Sequence, residues 1–79
     1  MRHTLWERLL PQARELIEGS LNRYPATTEV IMNSLKDNKY HMWSELPYYV
    51  VRLLSEAIFG IGGIEEDEIN TLFEKYYEQ

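Results

Sequence analysis

The sequence predicts an all-α fold, a small four-helix bundle-like domain in which neighbouring helices run antiparallel. Apolar residues recur at helical spacing in four segments, and no stretch alternates with the period of a β-strand. The links between the segments are short, which favours antiparallel neighbours. The 79 residues suit one domain, whose core supplies a net stability of only about 3–5 kcal/mol.

The first helix is predicted over residues 4–23. Thr4 and Glu7 match the pattern of a capping box. Pro11 lies on the polar side and the apolar phase is the same on both sides of it, so we expect one bent helix. The alternative is a break at Leu10, with Pro11 opening a second helix. The apolar side is formed by Leu5, Trp6, Leu9, Leu10, Ala13, Leu16, Ile17 and Leu21.

The second helix is predicted over residues 27–37, with Thr27 as its N-cap. An aromatic connector, residues 39–43, follows it. The third helix is predicted over residues 44–59, because Ser44 is a good N-cap and a proline is tolerated in the first turn.

The fourth helix is predicted over residues 65–78, after a glycine-rich hinge at residues 60–63. Its first turn is acidic, which the helix dipole favours. Its apolar residues repeat at helical spacing, so we expect this helix to pack against the body formed by the other three. From Ile64 onward the chain has six acids and one base, which equals the formal net charge of −5 for the whole protein.

The scarcity of cysteine and histidine limits the metal sites that the chain can form. The chain has no cysteine and two histidines, so a disulfide is excluded and a tetrahedral zinc site is not expected. His3 and His41 each precede a glutamate by four residues, but both lie just before predicted caps, where we expect surface side chains. We expect no catalytic residue, no metal and no cofactor.

The composition indicates a cytoplasmic protein. Absence of cysteine fits a reducing compartment. No signal peptide is expected at the amino end, and the most apolar stretch, residues 46–64, contains charges that argue against a membrane span. A helix-turn-helix DNA binder is a further alternative, yet its recognition helix carries a single base, Arg52. Phosphate binding needs several, so direct nucleic-acid binding is not expected.

Two features indicate a binding role. On the polar side of the third helix a row of interface-forming residue types recurs at helical spacing. We call this row the aromatic line, and it consists of Tyr48, Tyr49, Arg52, Ser55 and Phe59. The alternative is that the third helix is buried all round, which places these residues in the core.

The second feature is the outer side of the last helix, with Asp67, Glu74 and Glu78. Such an acidic ridge can steer association with a basic surface. It can also imitate a phosphate backbone, or it can simply keep the protein soluble.

The sequence therefore predicts a small non-enzymatic protein that binds another protein as a regulator, adaptor or inhibitor. Contacts are expected from Tyr48, Tyr49, Arg52 and Phe59, and electrostatic steering from the acidic ridge. The alternative is an acidic decoy, of the kind that phages or plasmids encode, that occupies the nucleic-acid groove of its target. Homo-oligomerisation through the aromatic line also stays open.

Overall fold

The structure, a computed structural model, describes residues 3–76 and is all-α in that range, as predicted. It has five α-helices rather than four, together with two 3₁₀ turns. The helices are α1 (Leu5–Arg8), α2 (Pro11–Gly19), α3 (Pro25–Leu35), α4 (Tyr48–Phe59) and α5 (Glu66–Glu74), and the 3₁₀ turns are Ser20–Asn22 and Trp43–Glu45.

The prediction of one continuous helix over residues 4–23 is wrong. Leu9 and Leu10 adopt extended backbone, with ψ angles of 142° and 154°, and Pro11 opens α2. A proline lacks the N–H that a continuous helix needs, and its ring clashes with the carbonyl four residues earlier. The amide of Leu10 donates instead to the carbonyl of Tyr76, at 2.7 Å. The predicted cap at Thr4 is confirmed, since its Oγ1 accepts the amide of Glu7 at 3.3 Å.

The predicted start of the second helix at Thr27 is also wrong, because α3 begins at Pro25. The fixed φ of proline suits the first helical position, where its missing N–H costs nothing. The next threonine, Thr28, is fully buried, and its Oγ1 lies 2.8 Å from the Oγ of Ser20. This bond joins the start of α3 to the turn after α2.

The predicted start of the third helix at Ser44 is wrong as well. Leu46 and Pro47 are extended, with ψ angles of 137° and 146°, and α4 begins at Tyr48. A residue before proline avoids the helical region, so the chain cannot pass helically through Leu46. The 3₁₀ turn before it is capped by Glu45, whose Oε1 accepts the amides of His41 and Met42 at 3.0 and 2.7 Å.

The core lies around α4, which contacts α2, α3 and α5. The prediction that the acidic helix packs on the body is confirmed, because Ile69 and Phe73 of α5 are fully buried. The ring of Phe73 stacks on Trp43 with centroids 5.1 Å apart, and the Trp43 indole donates to Asn70 at 2.9 Å. No helix within residues 3–76 has both the length and the apolar character needed to cross a membrane.

Candidate interaction surface

The three rings of the aromatic line lie at the surface of α4. Tyr48 is 59%, Tyr49 56% and Phe59 45% exposed, whereas Ser55 is fully buried. The alternative that this row belongs to the core is therefore wrong for the aromatic residues and right for the serine.

The opposite side of α4 explains why these rings point outward. Val50, Val51, Leu54 and Ala57 are buried against the neighbouring helices. Since successive helical residues are 100° apart, a helix that buries this face leaves positions 48, 52 and 59 at its margin or outside. The phase of the apolar residues thus fixes the exposure of the rings.

Arg52 is half-buried and holds the loop that follows α4. Its Nη1 donates to the carbonyl of Ile64 at 2.7 Å and its Nη2 to the carbonyl of Gly62 at 2.8 Å. A planar guanidinium presents donors on both terminal nitrogens and so can hold two carbonyls at once. The sequence predicts Arg52 as a partner contact, which stays a prediction, whereas in the structure its guanidinium bonds the loop carbonyls.

Ser55 fastens the same loop from inside. Its Oγ accepts the amide of Ile64 at 2.7 Å and lies 3.3 Å from the carbonyl of Ile64. Gly60, Gly62 and Gly63 have positive φ angles of 92°, 90° and 60°, which explains the glycines in the segment predicted as a flexible hinge. The side chains of Arg52 and Ser55 therefore hydrogen-bond this loop to α4.

Ile61, at the tip of this loop, was missed by the sequence interpretation. It is 95% exposed, the most exposed large apolar side chain in the described range. Its signal in the sequence is a single apolar residue between glycines, which lack side chains to cover it. Phe59, two residues earlier at the end of α4, is also exposed, at 45%.

A groove of about 540 Å³ lies beside the loop. Three acids and one base are among its lining residues, and the base is the loop-holding Arg52. The full lining is Tyr48, Arg52, Gly62, Gly63, Ile64, Glu65, Glu66 and Glu68. The groove therefore joins the aromatic line to the acidic start of α5.

The acidic ridge is exposed at Asp67 and Glu74, and Glu78 lies outside the described residues. Glu66, Asp67 and Glu68 occupy the first turn of α5, as predicted. Thr71 sits between the two exposed acids and donates its hydroxyl to the carbonyl of Asp67 at 2.8 Å. The ridge is therefore an interrupted row of charges.

The two histidine–glutamate pairs differ in structure. His3 Nδ1 lies 3.0 Å from Glu7 Oε2, with both side chains more than half exposed. The carboxylate of Glu45 instead bonds backbone amides. Across residues 3–76, no group of three or more histidine, aspartate or glutamate side chains is placed to hold a metal ion.

One titratable group outside this surface is perturbed. A hydrogen bond with Tyr40 raises the pKa of Lys39, and the charges of Tyr40 and Asp37 add to the effect.

Comparisons of this chain with protein-family models, with curated proteins and with solved structures find no match.

Proposed function

We propose that this chain is a small, non-enzymatic, cytoplasmic helical protein that acts by binding another protein, as a regulator, adaptor or inhibitor. The observation that carries the proposal is the exposure of Tyr48, Tyr49 and Phe59 along one side of α4. Tyrosine and other large rings are concentrated in protein interfaces, where they bury much area at a small entropic cost. The antiparallel arrangement of the helices stays a prediction, and the proposed surface does not depend on it.

The size of the aromatic line indicates how much of an interface it can supply. A large ring buries about 150–250 Å² when fully covered. Three rings that are about half exposed thus offer roughly 300 Å², against about 800 Å² per partner in a standard interface. A stable complex therefore needs adjoining surface, which the loop tip and the groove provide.

The acidic ridge supports a basic partner surface. The whole formal net charge of the protein, −5, equals the charge of residues 64–79. A one-sided field of this kind speeds association with an oppositely charged surface.

The decoy function is second, and the exposure of Asp67 and Glu74 favours it. Phosphate mimicry requires an even row of charges, whereas Thr71 interrupts this one. A decoy predicts that added salt weakens binding steeply and that neutralising the ridge abolishes it. A weak salt dependence would count against it.

Affinity capture from an extract of the source cells tests the proposal. We expect a specific protein to be retained by the wild type and lost by the triple variant Tyr48→Ser/Tyr49→Ser/Phe59→Ser. Arg52 is left in place because it holds the loop. The matched control introduces serine at three other exposed apolar residues. These are Leu16, Leu21 and Val30, whose side chains are 40%, 46% and 41% exposed.

This control should retain the protein. The proposal fails if no captured protein distinguishes the aromatic variant from the control while both variants keep the helical circular dichroism of the wild type.

A further inference from the structure

We infer that Ile61 is the anchor of this surface and that its occupant is a basic amphipathic helix of a partner protein. The inference rests on the proposed function and deepens it, since it names the anchoring residue and the chemical class of the partner. Ile61 is 95% exposed, and Phe59, two residues before it in the chain, is 45% exposed.

The loop presents Ile61 in a fixed position. Its carbonyls and one amide are bonded by Arg52 and Ser55, at distances of 2.7–3.3 Å. A further bond joins the amide of Gly63 to the carbonyl of Gly60, at 2.9 Å. A side chain held in this way loses little backbone freedom when it is covered, so its burial contributes to affinity with a small ordering cost.

The charges around the loop define the partner. Exposed carboxylates of Glu65, Glu66 and Glu68 line the groove together with Gly62, the residue that follows Ile61, and the Arg52 guanidinium is engaged with the loop carbonyls. A second copy of this chain, meeting through the same patch, would bring like charges together, which costs binding energy. An anionic lipid surface is repelled for the same reason.

A basic amphipathic helix satisfies both parts of the surface. Its apolar stripe covers Phe59 and Ile61, while lysine or arginine side chains from its flank reach the groove carboxylates. Recognition of an amphipathic helix by an apolar surface with complementary charges is a recurrent mode of peptide binding. The tyrosine ring of Tyr48, which lines the groove, offers a face to those cations.

A defined peptide tests the inference. The probe is a fluorescently labelled 18-residue helix of leucine and lysine, with a leucine–glutamate helix as its counterpart, titrated by anisotropy against the full chain. Covering one isoleucine side chain is worth about 1.5–3 kcal/mol, so Ile61→Ser should weaken binding at least tenfold. The matched control Met42→Ser, at a site that is 61% exposed, should change it less than about twofold.

The charge requirement is tested with two triple variants of equal charge. Glu65→Gln/Glu66→Gln/Glu68→Gln neutralises the groove, and Glu15→Gln/Glu18→Gln/Glu29→Gln neutralises exposed acids of α2 and α3. The groove variant should weaken binding several-fold more than its control. If the two triple variants lose peptide affinity equally, the peptide is attracted by the net charge of the protein alone, and the inference is overturned.

Two further outcomes overturn it. One is Ile61-dependent binding to phosphatidylglycerol vesicles without binding to the basic helix, which assigns the tip to lipid. The other is an Ile61-dependent dimer in light scattering, which assigns it to a second copy. If Ile61→Ser has no effect and the aromatic triple variant still loses its captured protein, the anchor is wrong and the proposed function stands. If Ile61→Ser leaves peptide binding unchanged and the aromatic triple variant still retains the captured protein, both the inference and the proposed function fail.

Discussion

The hydroxyl of Ser55 lies 2.7 Å from the amide of Ile64. This bond links the buried side of α4 to the loop that ends in α5. Ser55 is fully buried and Ile64 is partly buried, so water competes for this bond less than for a bond at the surface. The orientation of the loop tip, and with it the display of Ile61, depends on this contact.

Ser55→Ala should therefore lower the free energy of unfolding by about 1–3 kcal/mol, since it leaves the Ile64 amide without its side-chain acceptor. Urea denaturation measures the change, and amide exchange at Ile64 should accelerate. Ser44→Ala, at an exposed position, is the control and should stay within about 0.5 kcal/mol of the wild type. Equal stabilities of the two variants would show that the loop is not fastened through Ser55.

Gly63→Ala should destabilise the protein by about 2 kcal/mol or more, because it combines a left-handed φ with a steric clash. A Cβ at this position, where φ is 60°, would clash with Ser55 Oγ and would lie 3.2 Å from the Ser55 carbonyl carbon. The same substitution at Gly19, where φ is −63° and space is open, should raise stability by about 0.4–1 kcal/mol. Thermal melting curves of the two variants should thus shift in opposite directions. A melting temperature of Gly63→Ala at or above that of the wild type would contradict the loop geometry.

Arg52→Lys should destabilise the protein by about 1 kcal/mol, because a single ammonium nitrogen replaces the two guanidinium nitrogens that hold the carbonyls of Gly62 and Ile64. Arg23→Lys, at an exposed site after α2, provides the matched control and should be nearly neutral. Denaturant midpoints measure both. An unchanged midpoint for Arg52→Lys would mean that the guanidinium does not position the loop.

Asn70→Ala removes the acceptor of the Trp43 indole, 2.9 Å away, and should lower stability by about 1 kcal/mol. In a Trp6→Phe background, the substitution should also change the fluorescence emission of Trp43. The Trp43 ring stacks on Phe73, which lies on α5 together with Asn70. Asn33→Ala, at an exposed position of α3, carries the same change in helix propensity and serves as the control. Identical effects of the two variants would indicate that the bond contributes nothing to the docking of α5.

The helical core could be predicted because its signal is periodic. Leu5, Leu9, Ala13 and Ile17 keep one phase and are all buried. That common phase favoured one continuous helix over the alternative of a break at Leu10, and the structure has the break, with Pro11 opening α2. The start of α4 was misplaced because Ser44 is a good cap by type, whereas Leu46 and Pro47 decide the backbone.

The surface could be predicted only where it lies on a helix. The exposure of Tyr48, Tyr49 and Phe59 follows from the register of α4. Ile61 lies in a loop and has no helical periodicity, so its exposure depends on tertiary contacts, and the glycines on either side are its one signal in the sequence. The hydrogen bonds from Arg52 to the loop carbonyls are likewise tertiary contacts that helical periodicity does not predict.

The most direct test of the central claim, that the outer side of α4 is a free surface for a different protein, is the solution mass and fold of Phe59→Glu beside the wild type. Light scattering should give a folded monomer of about 9.5 kDa for both proteins. Ile69→Glu, at a fully buried position of α5, should unfold under the same conditions. If Phe59→Glu unfolds, or if it breaks a wild-type dimer, the aromatic line belongs to the core or to self-association, and the claim is contradicted.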